Sequence, residues 1–178
     1  MRTVKIVVTG PFSAGKTQFI QTISEIDVVE TERRISQPEE RIKARTTVAM
    51  DFGRITVDEN LVLYLFGTPG QRRFDFMWEV LSEGMLGFVV LLDSVRPETF
   101  REARDILGTF RSYAPVPYIV AANKQDLADA WAPEDLRIAL RIPDGVKMVP
   151  CVAMQRRSVK KVLLELLYSI LDVMEEGA

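Results

Sequence analysis

The sequence contains no histidine and only one cysteine among its 178 residues. The missing histidine excludes acid–base catalysis and metal binding by imidazole groups. The single cysteine, Cys151, excludes a disulfide within the chain, so we expect a reducing compartment and a cytoplasmic location. We expect Cys151 itself to pack in the core rather than to react. No apolar run approaches the length of a membrane-spanning helix.

A strong charge of one sign is also lacking, because the chain has 23 Lys and Arg and 25 Asp and Glu, which gives a net charge of -2. So small an excess is not typical of a protein that binds nucleic acid. The chain begins MRTVKIVVTG and enters a strand pattern directly, so we expect no signal peptide. Arg2 excludes N-myristoylation, and the ending MEEGA has no cysteine to prenylate, so we expect no direct membrane anchor.

Apolar runs alternate with helical patterns along the chain. The predicted strands are residues 3–9, 47–57, 61–66, 86–92, 117–122 and 146–150. Several are apolar throughout, as expected of parallel strands covered on both faces. Residues 58–60 carry a hairpin signal, so one strand should run antiparallel. The pattern predicts one three-layer α/β domain over residues 1–178, with a six-stranded, mostly parallel sheet and helices on both faces.

Apolar stripes at helical spacing predict the helices. Phe19, Ile20 and Ile23 mark a helix after the first strand, and a short helix is expected after Pro133. A stripe behind Pro97 comprises Phe100, Ala103, Ile106, Leu107 and Phe110. The last stripe, with Ser158 as the predicted N-cap, comprises Val159, Val162, Leu163, Leu166, Leu167, Ile170 and Val173. Residues 27–46 mix both charge signs without a clear apolar face, so they are expected to form a solvated loop.

The stretch GPFSAGKT, residues 10–17, fits the phosphate-loop (P-loop) pattern G-x-x-x-x-G-K-[ST] between a strand and a helix. The two glycines let the backbone fold closely around a phosphate chain. The side chain of Lys16 would reach the β- and γ-phosphates, and the hydroxyl of Thr17 would bind Mg²⁺. Backbone amides should point at the phosphates from the helix N-terminus. The predicted phosphate-binding residues are Gly10, Ser13, Ala14, Gly15, Lys16, Thr17 and Gln18. An ordinary glycine turn with a solvated lysine is the alternative, and the strand and helix around the motif disfavour it.

A second loop, NKQD at residues 123–126, follows the apolar run YIVAA. Asp126 could accept hydrogen bonds from N1–H and the exocyclic amine of guanine, which adenine does not offer. Asn123 would brace this loop against the P-loop, and the stem of Lys124 would lie along the base. Alone the motif is weak, because such residues favour any turn. Placed after a strand and downstream of a P-loop, it indicates a guanine-nucleotide site.

The order and spacing of the two loops resemble the Ras superfamily of small GTPases over essentially the whole chain. The resemblance implies a switch that binds GTP or GDP with Mg²⁺ and hydrolyses GTP slowly. In GTPGQ, residues 67–71, it implies that the amide of Gly70 meets the γ-phosphate and that Gln71 orients the attacking water, with switch II following. TTVAMDFG resembles switch I and the next strand, which makes Thr47 a Mg²⁺ ligand. Ala153 would offer its amide to the base.

The sequence departs from the Ras pattern at one position, because Gly67 occupies the place of the Mg²⁺-associated Asp of Ras. This departure points to a subgroup of the superfamily. Gly-Thr-Pro here resembles bacterial MglA-type GTPases and the GTP-binding proteins of actinobacterial conservons. In that group an Asp on the strand after switch I is thought to substitute, which implies Asp51 here, with Asp93 as the rival candidate.

The same resemblance implies a catalytic arginine supplied by the chain itself. Arg45 would act beside Gln71 and Lys16, and the other candidates are Arg41, Arg72 and Arg73. Because Phe12 should crowd an arginine inserted from outside, we expect a partner that repositions residues of this chain. The resemblance suggests a dimeric roadblock-domain activator of the MglB kind, with effectors at switch I and switch II.

Three functions stay open at this point. The first is a GTP-hydrolysing switch, the second a pseudo-GTPase that binds nucleotide with negligible hydrolysis, and the third a small P-loop kinase or ATPase. The NKQD loop and the lack of a lid segment argue against the third. Phe74, Phe76 and Trp78 follow GTPGQ, and a spacing of two puts neighbours on opposite sides of a helix. At least one of these aromatic side chains should therefore be exposed, as a partner contact.

Overall fold

The computed structural model describes residues 1–28, 50–70 and 74–177, and only the backbone of residues 33–34 and 47–48. The strands are β1 (Arg2–Thr9), β2 (Arg33–Arg34), β3 (Thr47–Val48), β4 (Asp51–Asp58), β5 (Leu61–Gly67), β6 (Gly87–Asp93), β7 (Tyr118–Asn123) and β8 (Met148–Pro150). The helices are α1 (Lys16–Ile23), α2 (Phe76–Ser82), α3 (Phe100–Tyr113), α4 (Pro133–Ala139) and α5 (Arg156–Glu176), with a 3-10 turn at Pro97–Thr99.

Six strands form one sheet in the order β4-β5-β1-β6-β7-β8. The β4–β5 hairpin is antiparallel, and every other pairing in this sheet is parallel. This confirms the three-layer α/β fold with one antiparallel strand. Strand β1 lies between β5 and β6, so the chain first builds one side of the sheet and then the other.

Apolar side chains cover the sheet on both faces, which is why β6 is buried along its whole length. On one face α1 and α5 pack through Phe19, Ile20, Val162 and Leu166. On the other face Phe110 of α3 packs against Trp78 of α2 and Phe88 of β6, and Leu136 of α4 belongs to the same apolar cluster. The stripes predicted for α1 and α3 are buried completely, and the stripe predicted for α5 is buried except at Leu167, which is partly buried, and Val173, which is exposed. Among the described residues, no helix is both long and apolar enough to cross a membrane.

Three local predictions are wrong. The expected strand 47–57 is divided: Thr47–Val48 pairs with Arg33–Arg34 in a separate two-stranded sheet, and only Asp51–Asp58 joins the main sheet. The Arg33–Arg34 strand also departs from the loop predicted for residues 27–46, most of which lie outside the described residues. Ser158 is not the N-cap of α5, since Gln155 takes that position and the Ser158 hydroxyl accepts the backbone N–H of Val152 at 2.8 Å.

Candidate nucleotide-binding site

The loops singled out by the sequence meet at the carboxyl edge of the sheet. The P-loop follows β1, GTPGQ follows β5 and NKQD follows β7. Because β1 is flanked by β5 on one side and β6 on the other, the P-loop opens at a reversal of strand order. Ligands of open α/β sheets bind in the crevice at such a point.

The P-loop backbone takes conformations that side chains disfavour. Ser13 has a φ of 64° and Gly15 a φ of 103°, both in the left-handed region. A Cβ on Gly15 would also lie 2.5 Å from Nδ2 of Asn123, so only glycine fits against the second loop. The first residue of α1 is Lys16, which places the helix N-terminus at the loop.

Lys16 is buried, and its ammonium group donates to the carbonyl oxygens of Gly10 at 2.6 Å and Pro11 at 2.8 Å. Burial lowers the pKa of Lys16 to about 8, opposed by the negative charges of Asp51 and Glu102. Desolvation disfavours the charged form of a lysine, and a nearby anion favours it. A phosphate chain in the P-loop would therefore offset the cost of keeping this cation buried.

Asp51, the first residue of β4, contacts α1, the helix that follows the P-loop. Its Oδ2 accepts the hydroxyl hydrogen of Thr17 at 2.6 Å, and its side chain is buried. In the hairpin register Asp51 lies directly opposite Gly67, and a Cβ on Gly67 would lie 3.0 Å from Cβ of Asp51. The space above Gly67 is thus filled by Ile20 of α1 and by the side chain of Asp51 from the neighbouring strand.

A hydroxyl and a carboxylate are the hard oxygen donors that Mg²⁺ prefers. The Thr17–Asp51 pair therefore fits a magnesium site. Thr47, the third predicted ligand, is described only through its backbone in β3.

Asn123 ties three loops together. Its Nδ2 donates to the carbonyl of Ala14 in the P-loop at 2.9 Å, and its Oδ1 accepts the backbone N–H of Ala153 at 2.9 Å. The hydroxyl of Thr22 in α1 donates to the carbonyl of Ala153 at 2.5 Å. The predicted bracing role of Asn123 thus has a geometric basis. The backbone N–H of Ala153, which the resemblance assigns to the base, is donated to Asn123 in this structure.

Asp93 lies at the base loop and not beside Thr17. Its side chain has no exposed surface, and its Oδ2 accepts a hydrogen bond from the ammonium group of Lys124 at 2.7 Å. The same ammonium group donates to the carbonyl of Ser13 at 3.2 Å. Asp93 therefore aligns Lys124 on the P-loop. From the sequence, Asp93 is predicted only as a rival metal ligand. Its position at the end of β6, beside the end of β7, is the signal that could have predicted its pairing with Lys124.

Asp126 is exposed and makes no hydrogen bond or ion pair with another described residue. Its neighbour Gln125 is fixed, because its Nε2 donates to Ser94 Oγ and to the carbonyl of Trp131, each at 2.9 Å. The carboxylate of Asp126 is therefore presented to solvent from an ordered loop and is open to donors on a ligand.

The loop after β5 lies directly on the P-loop. A Cβ on Gly70 would lie 2.8 Å from Cα of Phe12 and 2.9 Å from Nζ of Lys16. Phe12, a residue of the P-loop itself, is 58% exposed. The remaining predicted catalytic residues, Gln71 and Arg45, lie outside the described residues, and the alternatives Arg41, Arg72 and Arg73 do too.

The aromatic side chains after this loop divide as predicted. Phe74 and Trp78 are buried, and the indole N–H of Trp78 donates to the carbonyl of Pro69 at 3.1 Å. Phe76 is 66% exposed, which confirms that one of the three faces solvent. Cys151 is buried as expected, and burial raises the pKa of its thiol to about 11.

Comparisons with known proteins show the family to which the chain belongs. The model of a family described as a conserved hypothetical ATP binding protein matches residues 27–173. An uncharacterized protein of Methanocaldococcus jannaschii is 35% identical over 127 residues, which cover 71% of this chain and 73% of that protein. Ras-related protein Rab-3D of Mus musculus is 28% identical over 182 residues, covering 97% of this chain and 76% of that protein.

Ras-related protein RABA6b of Arabidopsis thaliana is 23% identical over 178 residues, covering 97% of this chain and 72% of that protein. These relatives support a nucleotide-binding protein of the small-GTPase type. The chain therefore belongs to the family described as conserved hypothetical ATP binding proteins, with the fold of the Ras-like P-loop GTPases.

Proposed function

We propose that residues 1–178 form one guanine-nucleotide-dependent switch, which binds GTP or GDP with Mg²⁺ and hydrolyses GTP slowly to GDP. The observation that carries this proposal is the double hydrogen bond of Asn123, which joins the P-loop at Ala14 to the base-side loop at Ala153. A phosphate cradle and a base-reading loop held at a fixed separation suit a nucleoside phosphate spanning both.

Guanine is the base that suits Asp126. Its exposed carboxylate can accept from N1–H and the exocyclic amine of guanine, whereas adenine would leave the carboxylate desolvated and unpaired. The family description names ATP, yet the P-loop contacts only phosphates, which ATP and GTP share. The matched range 27–173 contains the NKQD loop and does not contain the P-loop at residues 10–17. Base choice in this chain therefore depends on the NKQD loop.

Mg²⁺ would be held by Thr17 and Thr47, with Asp51 acting through a bound water. The hydrogen bond between Thr17 and Asp51 supports this set, and the pairing of Asp93 with Lys124 argues against the rival carboxylate. The ion would neutralise charge on the β- and γ-phosphates. In this arrangement the carboxylate that Ras carries on β5 is supplied by β4.

Hydrolysis would use Lys16 and the amide of Gly70 against the γ-phosphate, with Gln71 orienting the attacking water. The close approach of Gly70 to Lys16 Nζ supports a site closed by this loop. Arg45 is the proposed cis arginine. Because Phe12 places a large, exposed side chain in the P-loop and should crowd an incoming guanidinium group, we expect an activator to reposition Gln71 and Arg45 rather than to insert an arginine of its own.

The replacement of a β5 carboxylate by Asp51 supports membership of the MglA-type subgroup, and with it a roadblock-domain activator of the MglB kind. Effectors would bind switch I and switch II, where Phe76 offers an exposed aromatic ring. The reducing, cytoplasmic location expected from the single cysteine is part of the same proposal.

The test is nucleotide identity followed by turnover. We expect the purified protein to carry GDP or GTP, to bind GDP far more tightly than ADP, and to hydrolyse bound GTP in a single turnover. Asp126→Asn should weaken GDP binding and improve binding of xanthosine diphosphate, whose extra carbonyl accepts from the new amide. Asp129→Asn, at an exposed carboxylate nearby, is the matched control and should change neither affinity.

Two results would contradict parts of this proposal. Equal affinity for ADP and GDP would remove the guanine assignment and favour the ATP binding of the family description. Tight GTP binding with no hydrolysis above the solution rate would make the chain a pseudo-GTPase, a binding module instead of an enzyme.

A further inference from the structure

The outward face of α5 is apolar in its middle. Its inner stripe, which includes Val162 and Leu166, is buried in the core. A second stripe faces solvent, with exposed fractions of 36% for Leu164, 57% for Tyr168 and 52% for Leu171. A helix that contacts only its own core has one apolar stripe, so a second stripe indicates a further contact.

A groove of about 830 Å³ extends this apolar surface. It runs beside α5 and is closed by Val4 at the start of the sheet, by Val57 at the end of β4 and by Leu86 before β6. Val4 and Leu86 lie at the amino ends of the parallel strands β1 and β6, and Val57 lies at the same edge of the sheet because β4 is antiparallel. The nucleotide loops lie at the opposite edge, where the parallel strands end. The surface is therefore separate from the proposed nucleotide site.

The charges on α5 are divided between its two ends. The exposed residues before the apolar stripe include Arg157, Lys160 and Lys161, and those after it include Asp172, Glu175 and Glu176. An α-helix turns about 100° per residue, so Lys160, Leu164, Leu171 and Glu175 fall within an arc of roughly 60°. Along one face of α5, from its N-terminal to its C-terminal end, the exposed side chains are thus first basic, then apolar and then acidic.

We propose that this face of α5 binds the same face of a second copy of the chain, with the two helices antiparallel about a two-fold axis. The midpoint between Lys160 and Glu175 coincides with the midpoint between Leu164 and Leu171, and both lie between Leu167 and Tyr168. A two-fold axis there sets each Lys160 opposite Glu175 of the second copy. It also sets each Leu164 opposite Leu171 of the second copy, as an isologous interface requires.

The charge pattern favours a copy of this chain over a membrane. A helix that lies on an anionic lipid surface carries Lys and Arg along its polar flanks, and the acidic end of α5 would be repelled there. In the antiparallel pair the basic end of each helix meets the acidic end of the other, so one pattern complements itself. The nucleotide sites then lie at opposite ends of the dimer and stay open.

The experiment measures the mass of the full chain by sedimentation equilibrium across a wide concentration range. We expect a reversible dimer. Lys160→Glu and Glu175→Lys should each weaken it by about tenfold or more, because each creates two like-charge contacts across the axis. The double variant Lys160→Glu/Glu175→Lys should restore it. Arg104→Glu, at an exposed position on α3, is the control and should leave the dimer unchanged.

A covalent probe tests the position of the axis. Tyr168→Cys should form a disulfide between two copies under mild oxidation, since the axis brings the two 168 positions together. Cys151 does not compete, because it is buried and its thiol pKa is raised. Leu171→Asp should also give a monomer, with circular dichroism as the check on folding. The charge exchange still decides the matter if that variant does not fold.

Three results would overturn the proposal. The chain could sediment as a monomer at every concentration. It could form a dimer that neither charge reversal weakens, which would assign the interface to another face. It could also be monomeric and sediment with anionic vesicles, which would assign this face of α5 to a membrane. None of these outcomes depends on nucleotide binding, so they are distinct from failure of the proposed switch.

Discussion

At the scale of single residues, the placement of two buried carboxylates separates two roles. Asp51 bonds to Thr17, and Asp93 bonds to Lys124. The first pair lies where a metal would meet the phosphates. The second holds the lysine that also contacts Ser13 of the P-loop. The two roles can therefore be distinguished by removing each carboxylate in turn and asking whether the effect on GDP release depends on Mg²⁺.

We expect Asp51→Asn to speed GDP release in the presence of Mg²⁺ by about 10- to 100-fold, the usual effect of losing a group that orients a metal ligand. With the metal chelated by EDTA, the variant and the unchanged protein should release GDP at similar rates. Asp93→Asn should speed release equally with and without Mg²⁺, because Lys124 loses its partner. Stopped-flow measurements with a fluorescent GDP analogue check both. Metal-dependent loss in Asp93→Asn alone would contradict the assignment.

The buried ammonium group of Lys16 predicts a pH dependence of binding. Burial lowers its pKa to about 8 in the free protein, and bound phosphates would raise it again. The complex then keeps a proton that the free protein loses above pH 8. Affinity for GDP should be constant below that pH and fall above it, by up to about tenfold per pH unit.

Isothermal titration calorimetry about one pH unit either side of pH 8 checks this prediction. Repeating it in buffers of different ionisation enthalpy counts the proton taken up. Lys16→Arg is the control, because arginine stays charged throughout and shares any titration of the ligand. Equal affinity on both sides of pH 8 in the unchanged protein would contradict the shifted pKa.

At the scale of elements, the β4–β5 register explains why position 67 is glycine. A Cβ there would lie 2.9 Å from Cδ1 of Ile20 and 3.2 Å from Oδ2 of Asp51. Gly67→Asp should therefore destabilise the fold by about 1–3 kcal/mol through overpacking, and further through repulsion of two adjacent carboxylates. Moving the carboxylate with the exchange Asp51→Gly/Gly67→Asp should recover most of the loss.

Urea unfolding monitored by circular dichroism measures these differences. Gly67→Ala separates the steric cost from the electrostatic one, since it adds the Cβ without a charge. If Gly67→Asp alone is as stable as the unchanged protein, the space above Gly67 is not filled by Asp51.

Most of the fold could be predicted from the sequence, because most strands and helices have a local pattern of apolar residues that predicts them. Runs such as LGFVVLL and the stripe from Phe100 to Phe110 carry their own burial signal, and the structure buries both. The failures concern positions whose surroundings the local pattern does not show. Ser158 looked like an N-cap, yet its hydroxyl serves the backbone of Val152 in the preceding loop. Val173 completes an apolar stripe but is 52% exposed, because the sheet ends before it.

The residues of the candidate site also fall into those that the sequence predicts and those that it does not. The P-loop and NKQD are contiguous motifs, so their residues could be named in advance. The bond between Thr17 and Asp51 depends on the register of a hairpin, and Asp51 was identified only through a family resemblance. The pairing of Asp93 with Lys124 joins two neighbouring strands and was missed. Sequence spacing alone does not give a distance across strands.

At the scale of the whole molecule, the ligand would bridge loops from both halves of the sheet. A ligand that binds only the folded state stabilises it by about 2.7 kcal/mol at one hundred times its dissociation constant. For a chain of this length we expect GDP at that concentration to raise the unfolding temperature by roughly 5–11 °C. Differential scanning calorimetry checks this, with ADP as the matched ligand. A shift as large with ADP would contradict the guanine preference.

The central position of β1 also bears on how the protein is made. The P-loop leaves the ribosome early, yet β1 pairs with β5 and β6, which end at Gly67 and Asp93. Asn123 and Ala153, which hold the base-side loop, are synthesised later still. The nascent chain therefore carries β1 without a partner strand until Gly67 is made and with one open edge until Asp93 is made, a state prone to misassociation. Nucleotide can assist folding through this loop only after Ala153 has been made.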